Sequence, residues 1–442
     1  MKSKHIISLM ATALTAASVL SACEDEPDKY EIAGGVPEII YVRTPSNADS
    51  LITSAYTNTM IALIGNNLRA VKELYFNDQK ATLNTSLMTD HAIIVTVPRS
   101  LPENPTDSLY MINKNGVVTA YPFAVNIPAP TLASMTCEYV KPGEVATING
   151  DYMLSYDNEP MVITMPDGQK VTNFKSLTQY AVSFVVPDGC TESGPITVTT
   201  KYGTTESTAF NFNDDRGLLF DFDGVTGLSN HGWHSQVIET DETAISGNFL
   251  RLGGTDVTLS EDGGWDDSHF SFEYWPGNWA DPETYSDPAG IRLTDLVDFT
   301  DYTNMAYKFE LYVPSGNQWN AGALQVLPAG VDVVSYGNAG VADIDGNTLG
   351  GCNNQYISGT VCPRGLYRPW EESGTFDTGD EWITVTMPIA NFKYAGDGSQ
   401  ATGSLSAKSF TSLVLFVCDG GITGTECKPV IKIDNIRAVP YK

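Results

Sequence analysis

The sequence predicts an all-β chain: two small β-sandwiches in tandem, followed by a larger, jelly-roll-like sandwich. Three observations lead there. Short runs of alternating apolar and polar residues recur along the chain between turn residues, and no long stretch carries a helical period. One pattern of strands and turns occurs twice between Val36 and Asn213. All seven tryptophans lie beyond that point, in a region with longer loops.

The repeated pattern first reads MIALIGNNL around Gly65, IIVTVP ending at Pro98, and a hairpin around Gly116. It returns as EVATINGDYM around Gly150, VSFVVP ending at Pro187, and PITVTTKYGTTE around Gly203. Gly150 follows Gly65 by 85 positions and Gly203 follows Gly116 by 87, the length of one small sandwich. Gly203 falls where a hairpin needs positive φ, and Pro98 and Pro187 fall where strands end. The order of these signals resembles the IPT/TIG immunoglobulin-like domain, which implies one such domain over 36–127 and a second over 128–213. Their aromatics mostly alternate within strands and neither contains tryptophan, so a spacer role is expected, with binding carried by 217–442.

Ahead of the repeats, Lys2 and Lys4 precede an apolar run from Ile6 to Leu20 and then Ser21-Ala22-Cys23. The run falls short of the ~20 residues of a spanning helix. L-S-A-C resembles the bacterial lipoprotein signal, which implies a signal peptide over 1–22 and lipidation of Cys23. The acidic segment 23–35 reads as a flexible tether. Glu24, Asp25 and Glu26 directly after the cysteine resemble the surface-export signal of Bacteroidetes lipoproteins, which implies the outer face of the outer membrane.

Charge narrows the ligand. Without Lys2 and Lys4 the chain has 23 basic and 53 acidic residues, 23 − 53 = −30. A surface this acidic excludes nucleic acids and other polyanions, whose phosphates need Lys and Arg, and fits a neutral ligand. Six cysteines remain after Cys23. Cys418 and Cys427 flank a turn-rich segment and could staple a hairpin, and Cys352 and Cys362 bracket a short loop; Cys137 and Cys190 stay open, with buried thiols as the alternative. No C-x-x-C pair exists to suggest a cysteine zinc site.

The stretch from Gly263 to Trp279, GGWDDSHFSFEYWPGNW, is the densest in aromatics. Phe270, Phe272 and Tyr274 alternate as in a strand, whereas Trp275 and Trp279 flank a Pro-Gly turn. Aromatics on loops are candidates for a flat, exposed binding surface. By this criterion the candidate ligand-binding residues are Trp275, Trp279, Trp319 with its neighbours Asn317, Gln318 and Asn320, Tyr356 after Asn353-Asn354-Gln355, and Trp370. Trp382, in EWITV, reads as core, and Trp233, in NHGWHS, is equivocal.

LLFDFDG opens the last domain and IDNIRAVPY closes it, resembling the paired edge strands of carbohydrate-binding-module jelly rolls. With the lipoprotein signal and the repeats, the chain resembles the glycan-binding surface lipoproteins of Bacteroidetes polysaccharide utilisation loci, of the type that binds xyloglucan or related β-glucans. That resemblance implies a non-catalytic protein, a neutral polysaccharide as ligand, and a SusC/SusD-like transporter pair and surface glycoside hydrolases as partners. It implies no cofactor; Asp221, Asp223 and Asp434 could meet at an edge where related modules hold a structural calcium, with solvated strand-end carboxylates as the preferred alternative. Two other classes compete. A stalked glycoside hydrolase could use Glu273 with Asp281, or Glu371 with Glu372, but spacing in sequence does not establish the separation hydrolysis needs, and no hydrolase motif is present. An adhesin for a host protein or host glycan would suit the repeats equally, though aromatics beside amides favour sugar.

Replacing Cys23 with Ala should release the protein from the membrane fraction or block its processing. Protease shaving of intact cells that left the protein untouched would instead place it on the periplasmic face.

Overall fold

The computed structural model describes residues 34–232, 234, 236–278, 281–285, 290–334 and 356–441, with backbone only for 278 and 281–285. The signal peptide, Cys23, most of the tether, Trp233, Trp279, Cys352, Asn353, Asn354 and Gln355 lie outside the described residues. The chain divides after Pro128 into two compact units.

The first unit is one sandwich. A sheet of 38–43, 60–66 and 92–96 faces a sheet of 79–80, 71–76, 108–113 and 118–122 across Ile61, Leu63, Leu74, Phe76, Leu109 and Phe123. The second unit opens with a sandwich of the same plan. Its sheets are 131–135, 145–151, 181–185, 176–177 and 170–171, 162–164, 197–200, 203–206, closed over Ile148, Ile163, Phe184, Val198, Phe210 and Phe212. The repeated glycines have one physical reason in both. A Cβ on Gly65 would lie 1.9 Å from the Glu38 carbonyl oxygen, and one on Gly150 would lie 1.8 Å from that of Thr131. In each case the neighbouring strand shifts register beside the glycine, at Ile39/Tyr41 and at Leu132/Ser134. Gly203 has φ +142° at its hairpin.

The larger sandwich fills the rest of the second unit. Besides a ribbon of Gly277–Asn278 and Asp281–Tyr285, its strands are β1 Leu218–Phe220, β2 Val237–Glu239, β3 Phe249–Gly253, β4 Ser271–Tyr274, β5 Met305–Tyr312, β6 Ala323–Ala329, β7 Gly365–Tyr367, β8 Ile383–Pro388, β9 Ser412–Cys418 and β10 Val430–Pro440. One sheet runs β2-β3-β10-β5-β8, with β1 also pairing β10, so the first and last strands meet as the edge resemblance implied. The other runs β4-β9-β6-β7. Phe220, Phe272, Tyr307, Phe309, Leu324, Leu415 and Ile433 fill the space between them, and Phe220 meets Phe272 edge to face at 5.1 Å.

The outer face of the first sheet is polar yet buried. On β5, Lys308 and Glu310 alternate with the core residues Tyr307, Phe309 and Leu311, a pattern expected to face water. Instead Lys308, Glu310 and Arg437 are at most 1% exposed, because the second repeat packs on them. Glu138 of that repeat bonds Lys308 Nζ at 2.5 Å and Arg437 at 2.8 Å, and Arg437 bonds Glu310 at 2.7 Å. Thr384 donates to Glu310 Oε1 at 2.8 Å and accepts from the Glu138 amide at 2.7 Å. Every charge in the cluster thus has a partner, which is the condition for tolerating burial. A free-standing spacer does not describe the second repeat: it forms one compact unit with the large sandwich.

The cysteine staple is also corrected. Cys418 and Cys427 carry free thiols, as do Cys137 and Cys190. Cys418 ends β9 with its sulfur 3.3 Å from Gln325 Nε2, and burial pushes its thiol up to about 12. Cys427 is held by backbone pairing with Leu259.

Removing one member of the seam leaves its partners buried and unpaired, which costs about 3–5 kcal/mol. Arg437→Met should lower the denaturant midpoint accordingly. A fragment beginning at 217 should melt well below one beginning at 129, since only the latter keeps Glu138 over Lys308 and Arg437.

Candidate ligand-binding site

Trp265 is 56% exposed, whereas Trp275, Trp319 and Trp370 are at most 2% exposed and Trp382 is half-buried. Local chemistry holds it there. Gly263 has φ +66°, and a Cβ on it would lie 2.6 Å from Gly322 Cα and 2.7 Å from the Asp419 amide, so only glycine lets the chain pass so close to β6 and β9. Gly263 O accepts from that amide at 2.7 Å. On the other side Asp266 caps the single helical turn Asp267–Phe270, accepting from the His269 amide at 3.2 Å. Between these anchors the Trp265 ring meets Phe416 of β9 edge to face, 4.7 Å between centroids at 84°. Phe416 is 4% exposed and stands opposite Ser271 of β4 and Gln325 of β6 in the second sheet.

From Trp265 a polar strip follows β4, which is an edge strand. His269 Nδ1 lies 2.9 Å from Asp266, and His234 Nε2 lies 3.4 Å from Asp267. Next, Gln236 donates to Ser271 Oγ at 3.4 Å, and Asn230 accepts from the Glu273 amide at 3.4 Å. His231 bridges in parallel to Tyr274, its ring Nδ1 2.6 Å from Trp275 O. The strip ends in a hollow of about 60 Å³ lined by Asn230, His231, Tyr274, Trp275 and Pro276. The arrangement is elongated: an aromatic face at one end, then imidazole, carboxylate, amide and hydroxyl groups along a strand edge.

Most of the expected loop aromatics go elsewhere, and the expectation that they stand exposed is corrected. Trp319 is fully buried against Tyr367 and Phe376, its indole N–H donating to Ala321 O at 2.6 Å. Trp370 donates to Gly322 O at 2.8 Å and is 2% exposed. Tyr356 is 7% exposed, and its carbonyl accepts from buried Arg364 at 2.5 Å. Trp275 is 2% exposed and borders the hollow at the end of the strip. Two of the three amides are committed within the protein: Asn317 donates to Lys428 O at 3.0 Å and Gln318 to Asp377 at 2.5 Å. The Asn320 side-chain oxygen is buried. A loop tryptophan has a large apolar area to bury, and where backbone carbonyls lie in reach it folds inward and satisfies its N–H there. Trp265 was passed over in the sequence. Its signal was the Gly-Gly before it and the Asp-Asp after it, which leave no apolar neighbour to draw it in.

Of the candidate calcium ligands, Asp221 and Asp223 lie near enough to act electrostatically on Asp434. Asp223 accepts from the Asn248 amide at 2.5 Å, while Asp221 accepts from the Val225 amide at 2.8 Å. Asp221 Oδ1 and Asp434 Oδ2 are buried without partners, yet among the described residues no three acidic, His or Cys side chains are placed to hold one ion. Burial, with the neighbouring Glu310, Asp223 and Asp221 carboxylates, pushes Asp434 up to about 9. Of the hydrolase pairs, Glu273 is 2% exposed, the Asp281 side chain lies outside the described residues, and Glu371 pairs with Arg368 at 3.2 Å.

The fold is a jelly-roll-like β-sandwich that carries an exposed, propped tryptophan beside a polar strip. Comparison with known proteins gives the family: residues 212–440 match the model described as surface glycan-binding protein B xyloglucan binding domain, and the chain belongs to that family. The crystal structure of surface glycan-binding protein PbSGBP-B from Prevotella bryantii is 42% identical, with a TM-score of 0.81 over 93% of this chain and 100% of that one. An IPT/TIG domain-containing protein of Bacteroides ovatus is 29% identical over 253 residues, 53% of this chain. The match spans about half the length of that curated relative, 48%.

Because Trp319 is core, Trp319→Ala should lower stability by about 3–5 kcal/mol. Chemical denaturation should detect this; an unchanged midpoint would show that the ring supports nothing.

Proposed function

We propose that the protein captures a neutral polysaccharide, a plant-type β-glucan such as xyloglucan, without cleaving it, along the strip beside β4. The Trp265 ring carries the reading. Held at 84° to Phe416 and 56% exposed, it offers an apolar face with little freedom left to lose on binding. A pyranose presents C–H groups on its face and hydroxyls on its rim. The ring takes the face, while Asp266, His269, His234, Gln236 and Asn230 lie where the rim of successive sugars would pass. An elongated strip suits a chain better than a single sugar. The family description names xyloglucan, and the strongly acidic surface agrees with an uncharged polymer.

Stacking and hydrogen bonds to hydroxyls need neither a catalytic carboxylate pair nor a cofactor. The remaining elements of the reading are the anchor at Cys23, the outer face of the outer membrane, and delivery of the glycan to a SusC/SusD-like transporter pair with surface glycoside hydrolases. In support, the family and the Prevotella relative are named as surface proteins.

Affinity electrophoresis and calorimetry against xyloglucan, mixed-linkage β-glucan, laminarin, mannan and starch test the reading. Trp265→Ala should weaken binding of the preferred glucan at least tenfold, as loss of one stacking contact of ~1–3 kcal/mol requires, by analogy with bases on aromatics. Its melting temperature should not change. Binding that survives the substitution moves the site, and steady release of reducing ends by the purified protein defeats the non-catalytic reading.

A further inference from the structure

We propose that the seam between the second repeat and the large sandwich holds a second saccharide-binding cleft, with Trp382 as its stacking ring and Glu144, Glu242 and Glu381 as acceptors for sugar hydroxyls. The proposal rests on the glycan-binding reading above but uses none of the residues of the strip.

The cleft has a volume of about 490 Å³. This is within the ~300–1,000 Å³ of small-molecule sites, which favour domain junctions. Glu144 and Val145 come from the second repeat, Glu242 from the loop after β2, and Glu381 and Trp382 from the approach to β8. Its walls do not slide, because Lys141 of the repeat donates to Ala244 O of the opposite wall at 2.8 Å. The buried Glu138–Arg437 pair at 2.8 Å adds a second tie between the same two domains. The cleft is therefore formed before any ligand arrives.

Trp382 is half-buried, and its indole N–H donates to Thr243 O at 2.6 Å. Phe249 meets it at 6.0 Å and 60°, and Tyr312 at 5.5 Å and 48°, so the ring is oriented while part of it lines the cleft. At the rim, Glu144, Glu242 and Glu381 are exposed. None of the three carboxylates accepts a hydrogen bond from the protein among the described residues. Asp380 differs, holding the Ser315 amide at 2.9 Å and hydroxyl at 2.7 Å.

An aromatic ring with carboxylates around it also suits a cation, but the protein already places one of its own against Tyr312, which lines the cleft, and Phe249, which packs on Trp382. The Lys432 ammonium lies 4.7 Å from the Phe249 centroid and 5.0 Å from that of Tyr312, and pairs with Asp241 at 2.5 Å. What remains open is an apolar ring surface with hydrogen-bond acceptors around it, which matches the face and rim of an uncharged pyranose.

Calorimetric titration of the full chain with cellohexaose and with a xyloglucan oligosaccharide should give two sites per chain. The triple variant Glu144→Ala/Glu242→Ala/Glu381→Ala should lose one of them, weakened at least tenfold, and keep the other with its melting temperature intact. Trp265→Ala should show the reverse, losing the strip and keeping the cleft. Trp382→Ala should match the triple variant in binding, with its packing loss followed separately by melting. A parent that binds at one site, unaltered by the triple substitution, overturns the cleft and leaves the reading of the strip standing. Loss of all binding on Trp265→Ala alone also overturns it. A cleft affinity that collapses between 50 mM and 500 mM salt would mark a charge-driven ligand and overturn its assignment to a neutral saccharide. No binding of any glycan by the parent would instead overturn the glycan reading itself.

Discussion

The second compact unit depends on a buried exchange of charge. Arg437 and Lys308 project from the outer face of the first jelly-roll sheet toward Glu138 of the preceding repeat, and Glu310 and Thr384 complete the set. Ion pairs at a protein surface contribute little, because water and salt screen them. Here the charges are at most 2% exposed, so their mutual satisfaction is a condition for closing the seam at all. Burial would lower the Arg437 guanidinium, but Glu310 and Glu138 outweigh it and hold the group above its ordinary value. Arg437 therefore stays charged at any pH where the protein folds. In the observed docking of the repeat each buried carboxylate meets a cation.

That constraint shapes the functional surface. With the outer face of the first sheet covered, the exposed candidates for ligand contact lie on the second sheet and at the rim of the seam. On the second sheet, the close pass of Gly263 against Gly322 and the capped turn at Asp266 leave Trp265 little choice of direction. The other loop tryptophans found carbonyls within reach and turned inward, Trp319 to Ala321 and Trp370 to Gly322. Rings that were expected to meet sugar thus support the loops from beneath.

The fold was largely legible in the sequence. Alternation with turn residues marked the strands, and the two repeats declared themselves through glycines whose spacing reflects one shared bulge, Gly65 against Glu38 and Gly150 against Thr131. The pairing of LLF with the closing strand could be read from the resemblance of the chain ends. The candidate site was less legible. Trp265 stood inside the stretch singled out for its aromatics, set apart from Trp275 ten positions later only by its Gly-Gly and Asp-Asp neighbours. Burial of a loop side chain is set by which backbone carbonyls and which sheet face it meets, and those come from strands far away in the chain.

The sequence by itself determined the β class, the repeat plan, the acidic surface that turns polyanions away, and the region where aromatics concentrate. All of these follow from local periodicity, from turn chemistry, or from totals that do not depend on folding. Only the tertiary structure decided which aromatics stay in contact with water and whether a polar strand face meets solvent or another domain. Alternation alone would put Lys308 and Glu310 on a solvent face, because it reports only that two faces differ, not what covers the second one. The cover came from Glu138, separated from Lys308 by 170 positions and from Arg437 by 299, and no pattern along the chain carries a pairing across that distance.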